Sequence, residues 1–422
     1  MKFGKLAAIA LASTMVVGLA ACNSGEPSTT GDVPSVIKIG IVNPTTGALA
    51  GQGEGCPWTE DTVVDYVNNE LGGIYFEEYD ATIPIEIVVY DSTSDTSTCS
   101  AMAQKLVEED KVDLIIARHT PETVNPVCAI AERYGVPCVS IEAPVDAWLA
   151  EGAHEWSYHS FWTLDMMYEQ YSALWAQAGY PAGSGATVGI IFANDADGTA
   201  WHDVFADRIA ADGYNLIDPG QYPAGTTDFS DIINQFQTAG VQVLAGTNTN
   251  ADFTTFWRQA QSLGFDPAVL TMGKAFLLQS DAEAVGASLM DGNMCEVWWS
   301  RYHPYTSALT GMTPEALAVK YNEETGKTIT QPMGYKYASM ELAVAALQNA
   351  KSASPEDILE AISQLNVDTI VGPISYTNQE LHYGTTPVVG GQWQLIDGKL
   401  ELVIINNELT PEVPTTGEYK PR

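Results

Sequence analysis

The sequence predicts an α/β protein built as two doubly wound, parallel-sheet lobes. Three observations lead there. Short β-branched runs alternate with helical segments of 10–15 residues, the signature of β-α-β units. Runs such as Val112 to Ala117 (VDLIIA) are apolar almost throughout, as strands of a sheet covered on both faces are. The alternation then restarts near the middle of the chain with a second set of the same plan. The chain has 422 residues, 45% of them apolar, enough for two or three domains with cores.

The chain opens on Lys2 and Lys5, then Leu6 to Leu19 is apolar or small. Fourteen residues are too few to cross a bilayer of ~30 Å, so the segment reads as a secretory signal. It closes on Leu19-Ala20-Ala21-Cys22, which resembles a bacterial lipobox. The resemblance implies cleavage before Cys22 and lipid on its sulfur. Residues 1–21 are thus expected to be a lipoprotein signal peptide. Residues 22–35, rich in Ser, Thr, Gly and Pro, are expected to be a tether.

Val36 to Val42 (VIKIGIV), Ile83 to Tyr90, Val112 to Ala117 and Val136 to Ile141 read as strands. Pro57 to Leu71, Thr98 to Asp110 and Val124 to Tyr134 read as the helices between them. In the second set, Thr187 to Phe192, Val241 to Ala245 and Ala268 to Thr271 are strands. Asp165 to Gly179, Ala200 to Asp212, Phe229 to Ala239 and Thr254 to Leu263 are helices. Three more helices follow, Pro314 to Gly326, Gly334 to Ala350 and Pro355 to Leu365. The tail, Gly372 to Tyr376 and Gly391 to Asn406, is β-rich. These late elements must return to the sheets, so the chain crosses between lobes more than once. The division expected is residues 36–156 in the first lobe and 157–298 in the second. Residues 299–371 return to the first lobe and 372–422 form a C-terminal segment of the second.

Charge and motifs exclude several classes. Eighteen Lys+Arg against 53 Asp+Glu give a net charge of −35. A nucleic-acid binder needs the opposite sign, and an anionic membrane would repel this chain. There is no G-x-S-x-G, and His154-Glu155 is followed by His159, outside H-E-x-x-H spacing. Asn194 to Gly198 fails the frame of a calcium loop, and Gly51 to Gly55 is not a dinucleotide motif. Neither catalysis, nor a metal, nor a cofactor is expected. Beyond Cys22 there are Cys56, Cys99, Cys128, Cys138 and Cys295. Cys56 and Cys99 each open a helix, so either a disulfide or buried free thiols suit them, and Cys128–Cys138 pairing is likewise open.

What remains is chemistry for holding a small molecule. In open α/β sheets ligands sit beyond the carboxyl ends of strands. Strand exits here carry Thr45 and Thr46; Arg118, His119 and Thr120; Glu142 and Ala143; Asn194 and Asp195; Thr247 and Asn248; and Lys274. Short polar residues there serve equally as helix caps. Long charged ones, Arg118, Glu142 and Lys274, need partners and so point to a cleft. Trp58, Trp162, Trp298 and Trp299 either wall that cleft or pack a core between lobes.

The chain resembles the type I periplasmic-binding-protein family, in the leucine/isoleucine/valine-binding branch of ABC-transporter receptors. The matching stretches are Ile37 to Gly47 (IKIGIVNPTTG), Leu71 to Ile74 (LGGI), Val89 to Asp95 (VYDSTSD), Ala131 to Ser140 (AERYGVPCVS), Trp257 to Gly264 (WRQAQSLG) and Val367 to Pro373 (VDTIVGP). It also looks like a subgroup carrying Phe161-Trp162, Gly273-Lys274, Glu296-Val-Trp-Trp299 and Thr330-Gln-Pro332. The resemblance implies two lobes joined by three crossovers, hinge closure on a ligand, and ABC permease subunits as partners. Membrane attachment would be through the lipid alone. The implied pocket contacts fall on Arg118 to Pro121, Glu142 to Pro144, Asp195 to Asp197, Thr247 to Thr249 and Lys274. Where amino-acid receptors of this branch offer Ser/Thr hydroxyls, this chain has His119, Thr120, Pro121, Glu142, Ala143 and Pro144; where they place an acid for the ammonium, it places Lys274. The expected ligand is therefore a small organic acid or modified amino acid with an apolar or aromatic part. Lys274 or Arg118 would meet its carboxylate, and Glu142 would accept from an ammonium or hydroxyl or pair with Lys274. The alternatives are a branched-chain amino acid receptor proper, or a ligand-sensing surface module or enzyme without a transport role.

Overall fold

The computed structural model describes residues 33–422. The signal peptide, Cys22 and nearly all of the tether lie outside the described residues. Two sheets organise the rest. Edge to edge, the first is Tyr383–Gly384, Ser157–Ser160, Cys138–Ile141, Leu114–Ala117, Ile37–Asn43 and Ile85–Asp91. All of its pairings are parallel. The second is Lys399–Asn406, Val389–Ile396, Met294–Val297, Val269–Gly273, Val243–Thr247, Thr187–Phe192 and Asn215–Ile217. It is parallel except where the two C-terminal strands join antiparallel to Met294–Val297 and to each other.

The strands form where β-branched residues run together. Ile37, Ile39 and Ile41 are fully buried and share a cluster with Val63 and Val67 of the helical segment that follows. Each such side chain contributes roughly 1.5–3 kcal/mol by leaving water. Helix starts follow capping chemistry. Asp95, Thr163, Asp195, Thr249, Thr313 and Ser354 each accept a hydrogen bond from a backbone N–H in the first turn of the helix they precede. The helix Thr120–Tyr134 begins four residues before the Val124 read from the sequence. Pro121 sits in its first turn, where no N–H is needed. It stops at Gly135, whose φ of 66° suits glycine.

The chain passes between sheets three times: near Phe161, near Trp298 and between Gly384 and Val389. Two expectations are corrected here. Ser157–Ser160, assigned from the sequence to the second lobe, pairs with Cys138–Ile141 in the first sheet. Gly372–Ser375 pairs with Asn366–Thr369, and Tyr383–Gly384 joins the first sheet, so the return segment extends past residue 371. The strand SYHS was hidden because it is polar. Two of its side chains are paired internally: Ser160 bonds Tyr376 Oη (2.7 Å), and His159 bonds Ser140 Oγ (2.8 Å) and the Ala143 carbonyl (2.7 Å).

At the second crossing Trp299 lies flat on the helix Gln331–Asn349, its Nε1 donating to the Ile370 carbonyl at 2.9 Å. Gly334 makes room for it: a Cβ there would fall 2.3 Å from the indole. All five described cysteines are buried and free.

Candidate functional site

The carboxyl ends of both sheets meet at a narrow cavity of about 20 Å³. Gln52, His119, Thr120, Pro121, Glu142 and Pro144 line it from the first lobe. Asp197, Trp201, Thr247, Lys274 and Glu296 line it from the second, and Phe161, Trp162 and Trp298 stand at the crossovers. That volume is room for about one water, so a larger solute enters only when the two walls move apart.

Strand exits place the polar groups. His119 and Thr120 follow Leu114–Ala117, Glu142 follows Cys138–Ile141 and Lys274 follows Val269–Gly273. All four have φ between 59° and 71°, a conformation that costs ~1–3 kcal/mol for such residues and gathers at functional sites. The Thr120 N–H donates to the Glu142 carbonyl (2.9 Å), fixing the two exits against each other. The aromatic wall is continuous. Ring centroids lie 4.3 Å apart for Phe161–Trp162, 5.7 Å for Trp162–Trp201 and 5.1 Å for Phe161–Trp298.

Charge is unevenly matched. Lys274 Nζ donates to Asp197 (3.1 Å) within its own lobe and lies 3.7 Å from Glu122 across the cleft. Burial opposes its charge, but Glu122 and Asp197 outweigh that and hold its pKa above the ordinary lysine value. Burial lifts Asp197 to about 6 against the pull of Lys274. Glu142 sits 3.3 Å from His119 Nδ1, and burial pushes it up to about 7 although Lys336 and Arg118 oppose the shift. His119 is held neutral, its pKa far below the usual range by burial and by Arg118 and Lys336. Burial raises Glu296 to about 7 despite a 2.6 Å hydrogen bond from Tyr171 Oη.

Of the residues named from the sequence, His119, Thr120, Glu142, Trp162, Thr247, Lys274 and Trp298 come together here. Arg118 does not. It is fully buried behind the cavity, bonded to Glu60, Asn43 Oδ1 (3.2 Å) and Ser339 Oγ (3.2 Å). It braces the wall. Ala143 is buried with its carbonyl on His159. Asp195 is a helix cap, accepting from Gly198 N at 2.7 Å. Trp299 is spent on the crossover. Trp58 lies on another face, its Nε1 on Glu324 (2.8 Å) and its ring edge-on to Tyr321. Lys274 lines the cavity with its charge engaged by Asp197 and Glu122. Gln52 and Trp201 were not anticipated: the first stands in a glycine loop without periodicity, the second in a helix where an aromatic reads as core. Among the described residues no His/Cys/Asp/Glu group is arranged to hold a metal.

Two parallel-sheet lobes crossed three times, with a small cavity between their carboxyl ends, define a solute-binding protein. The chain belongs to the periplasmic binding protein family, whose pattern it matches over residues 36–399. It is 23% identical over 400 residues to the Leu/Ile/Val-binding protein homolog 7 of Brucella abortus (strain 2308), covering 92% of this chain and 95% of that one. Its fold is similar to that of LivJ from Streptococcus pneumoniae in complex with isoleucine (TM-score 0.71, 18% identity, 88% of this chain and 99% of that chain). It is also similar to a solute-binding protein of an ABC transporter from R. palustris in complex with 4-hydroxybenzoate (TM-score 0.72, 17% identity, 91% and 98%). The family is one of extracytoplasmic solute-binding proteins. Among the described residues no helix is long and apolar enough to cross a membrane.

Proposed function

We propose that this chain is the receptor of an ABC importer, capturing a small organic solute with an apolar or aromatic body and delivering it to membrane permease subunits. One observation supports this most directly. Polar atoms of His119, Thr120, Glu142, Trp162, Thr247 and Trp298 are buried at the cavity without hydrogen-bond partners. Orphaned buried groups cost about 1–3 kcal/mol each, and a ligand that pairs with them recovers that cost. The aromatic wall covers the ligand's body. The lipobox-like segment supports anchoring through Cys22 on the outer side of the membrane.

A thermal-shift screen across amino acids, small carboxylates, amines and aromatic acids tests the reading, because a ligand of the folded state raises the melting point by mass action. A clean deletion strain that takes up the bound ligand undiminished removes the transport role. Cys22→Ser is expected to leave the precursor uncleaved or to release protein to the medium; normal membrane retention removes the anchor.

A further inference from the structure

The receptor reading leaves the ligand's charge open, and the cavity's own bookkeeping of ions addresses it. Around the site stand six carboxylates, Glu60, Glu122, Glu142, Asp195, Asp197 and Glu296, and three cations, Arg118, Lys274 and Lys336. Arg118 is committed to Glu60, and Lys274 to Asp197 and Glu122. The Lys336 ammonium donates to the Glu54 carbonyl at 2.9 Å and is not part of the cavity lining, though its charge is felt by Glu142. His119 is neutral. Glu142 and Glu296 are therefore left without a cationic partner within 4.0 Å, and both line the cavity.

Their hydrogen bonding sharpens this. Neither carboxylate oxygen of Glu142, a residue 4% exposed, has a donor. Glu296, fully buried, has only Tyr171 Oη and a 3.4 Å backbone contact from Lys274. The other orphans include the indole N–H groups of Trp162 and Trp298, which can only donate. A ligand with N–H donors, a positive charge that draws the protons off the two acids, and a neutral acceptor oxygen for the indoles completes these groups. A free ligand carboxylate finds no unengaged cation on the cavity lining, where Lys274 is held by Asp197 and Glu122. Tryptophan faces also favour cations, by about 2 kcal/mol when desolvated.

We infer that, within the receptor role on which this rests, the natural ligand is a net-cationic amine with an apolar or aromatic body and a neutral oxygen. Glu142 and Glu296 are its charge partners, and Trp162, Trp201 and Trp298 its walls.

The test is calorimetry with two matched frames that differ in charge: tyramine, tyrosine and hydroxyphenylpropionate; isoamylamine, leucine and isocaproate. In at least one frame the amine is expected to bind at least tenfold tighter than the zwitterion, and the acid weakest. Glu142→Gln and Glu296→Gln are each expected to weaken the amine about ten- to a hundredfold, the size of a charged hydrogen bond. The wild-type ranking does not depend on how the variants fold, and thermal unfolding of each unliganded variant reports its integrity. No binding by either amine, or an acid or zwitterion tightest in both frames, overturns the inference. If such a ligand loses affinity in Trp162→Ala, the receptor reading survives while the charge assignment falls. If binding ignores Trp162→Ala and both Gln variants, the ligand sits elsewhere and the cavity assignment falls too.

Discussion

The two lobes meet the same cavity in opposite electrostatic conditions. On the second lobe, polar groups are already tied to one another: Lys274 to Asp197, Glu296 to Tyr171, and Trp175 Nε1 behind them to Thr271 Oγ1 at 3.0 Å. On the first lobe, His119 Nδ1, Thr120 Oγ1 and both oxygens of Glu142 have no hydrogen-bond partner. The second face is mostly paired without a ligand, with Thr247 Oγ1 left over and Glu296 bonded to Tyr171; the first is organised for one. Preorganised but unsatisfied groups gain on binding, whereas satisfied ones give up as much as they gain.

That contrast can be broken most forcefully beneath the first face. Arg118→Met leaves Glu60 buried and unpaired, and is expected to destabilise the protein by roughly 3–5 kcal/mol in urea unfolding followed by circular dichroism. Arg118→Met/Glu60→Met together are expected to recover most of that, as a bracing ion pair does. A double variant as weak as the single one rejects the pairing.

Next in size is the pH response of the unliganded protein. Glu142 and Glu296 have folded pKa values of about 7, above the ordinary 4.5 because of burial. The folded state therefore holds their protons to higher pH than the unfolded chain. Their contribution is full below about pH 4.5 and is lost as pH rises through 7. The melting temperature is expected to fall between pH 5 and 8. Glu142→Gln is expected to flatten that fall and to stabilise the protein at pH 8 by roughly 1–3 kcal/mol. An unchanged slope means that Glu142 already finds a donor.

Tyr171→Phe removes the donor that Glu296 relies on and is expected to cost about 1–3 kcal/mol on the second face. Thr120→Val makes the smallest change. It deletes a hydroxyl with no partner, so unliganded stability is expected to move by less than about 0.5 kcal/mol. If both hydroxyl deletions cost the same by chemical denaturation, the two faces do not differ.

Much of this architecture was legible because parallel strands covered on both faces advertise themselves as apolar runs. Leu114–Ala117 and Thr187–Phe192 are examples. Among the strands that escaped, Ser157–Ser160 is mostly polar and Met294–Val297 contains Glu296, so neither reads as an apolar run. The site was legible to the level of strand exits and no finer. Arg118 and His119 are adjacent at one exit, yet one turns under the helix Gln331–Asn349 and the other into the cavity. Only the fold decides between them. The pairing of Lys274 with Glu122 and Asp197 joins residues 77 or more apart in the sequence, so no local pattern announces that its charge is taken.

The left-handed backbone at His119, Thr120, Glu142 and Lys274 bears on how such a receptor changes its diet. Side chains at those positions sit on a frame that most replacements strain further, so a new residue there spends stability before it contributes any selectivity. The tryptophans carry no such burden. Trp201 stands within a regular helix, and Trp162 and Trp298 lie where the chain is not held at positive φ. Descendants of this chain that acquire a taste for other molecules are expected to do so by trading its aromatic panels while leaving its polar corners intact.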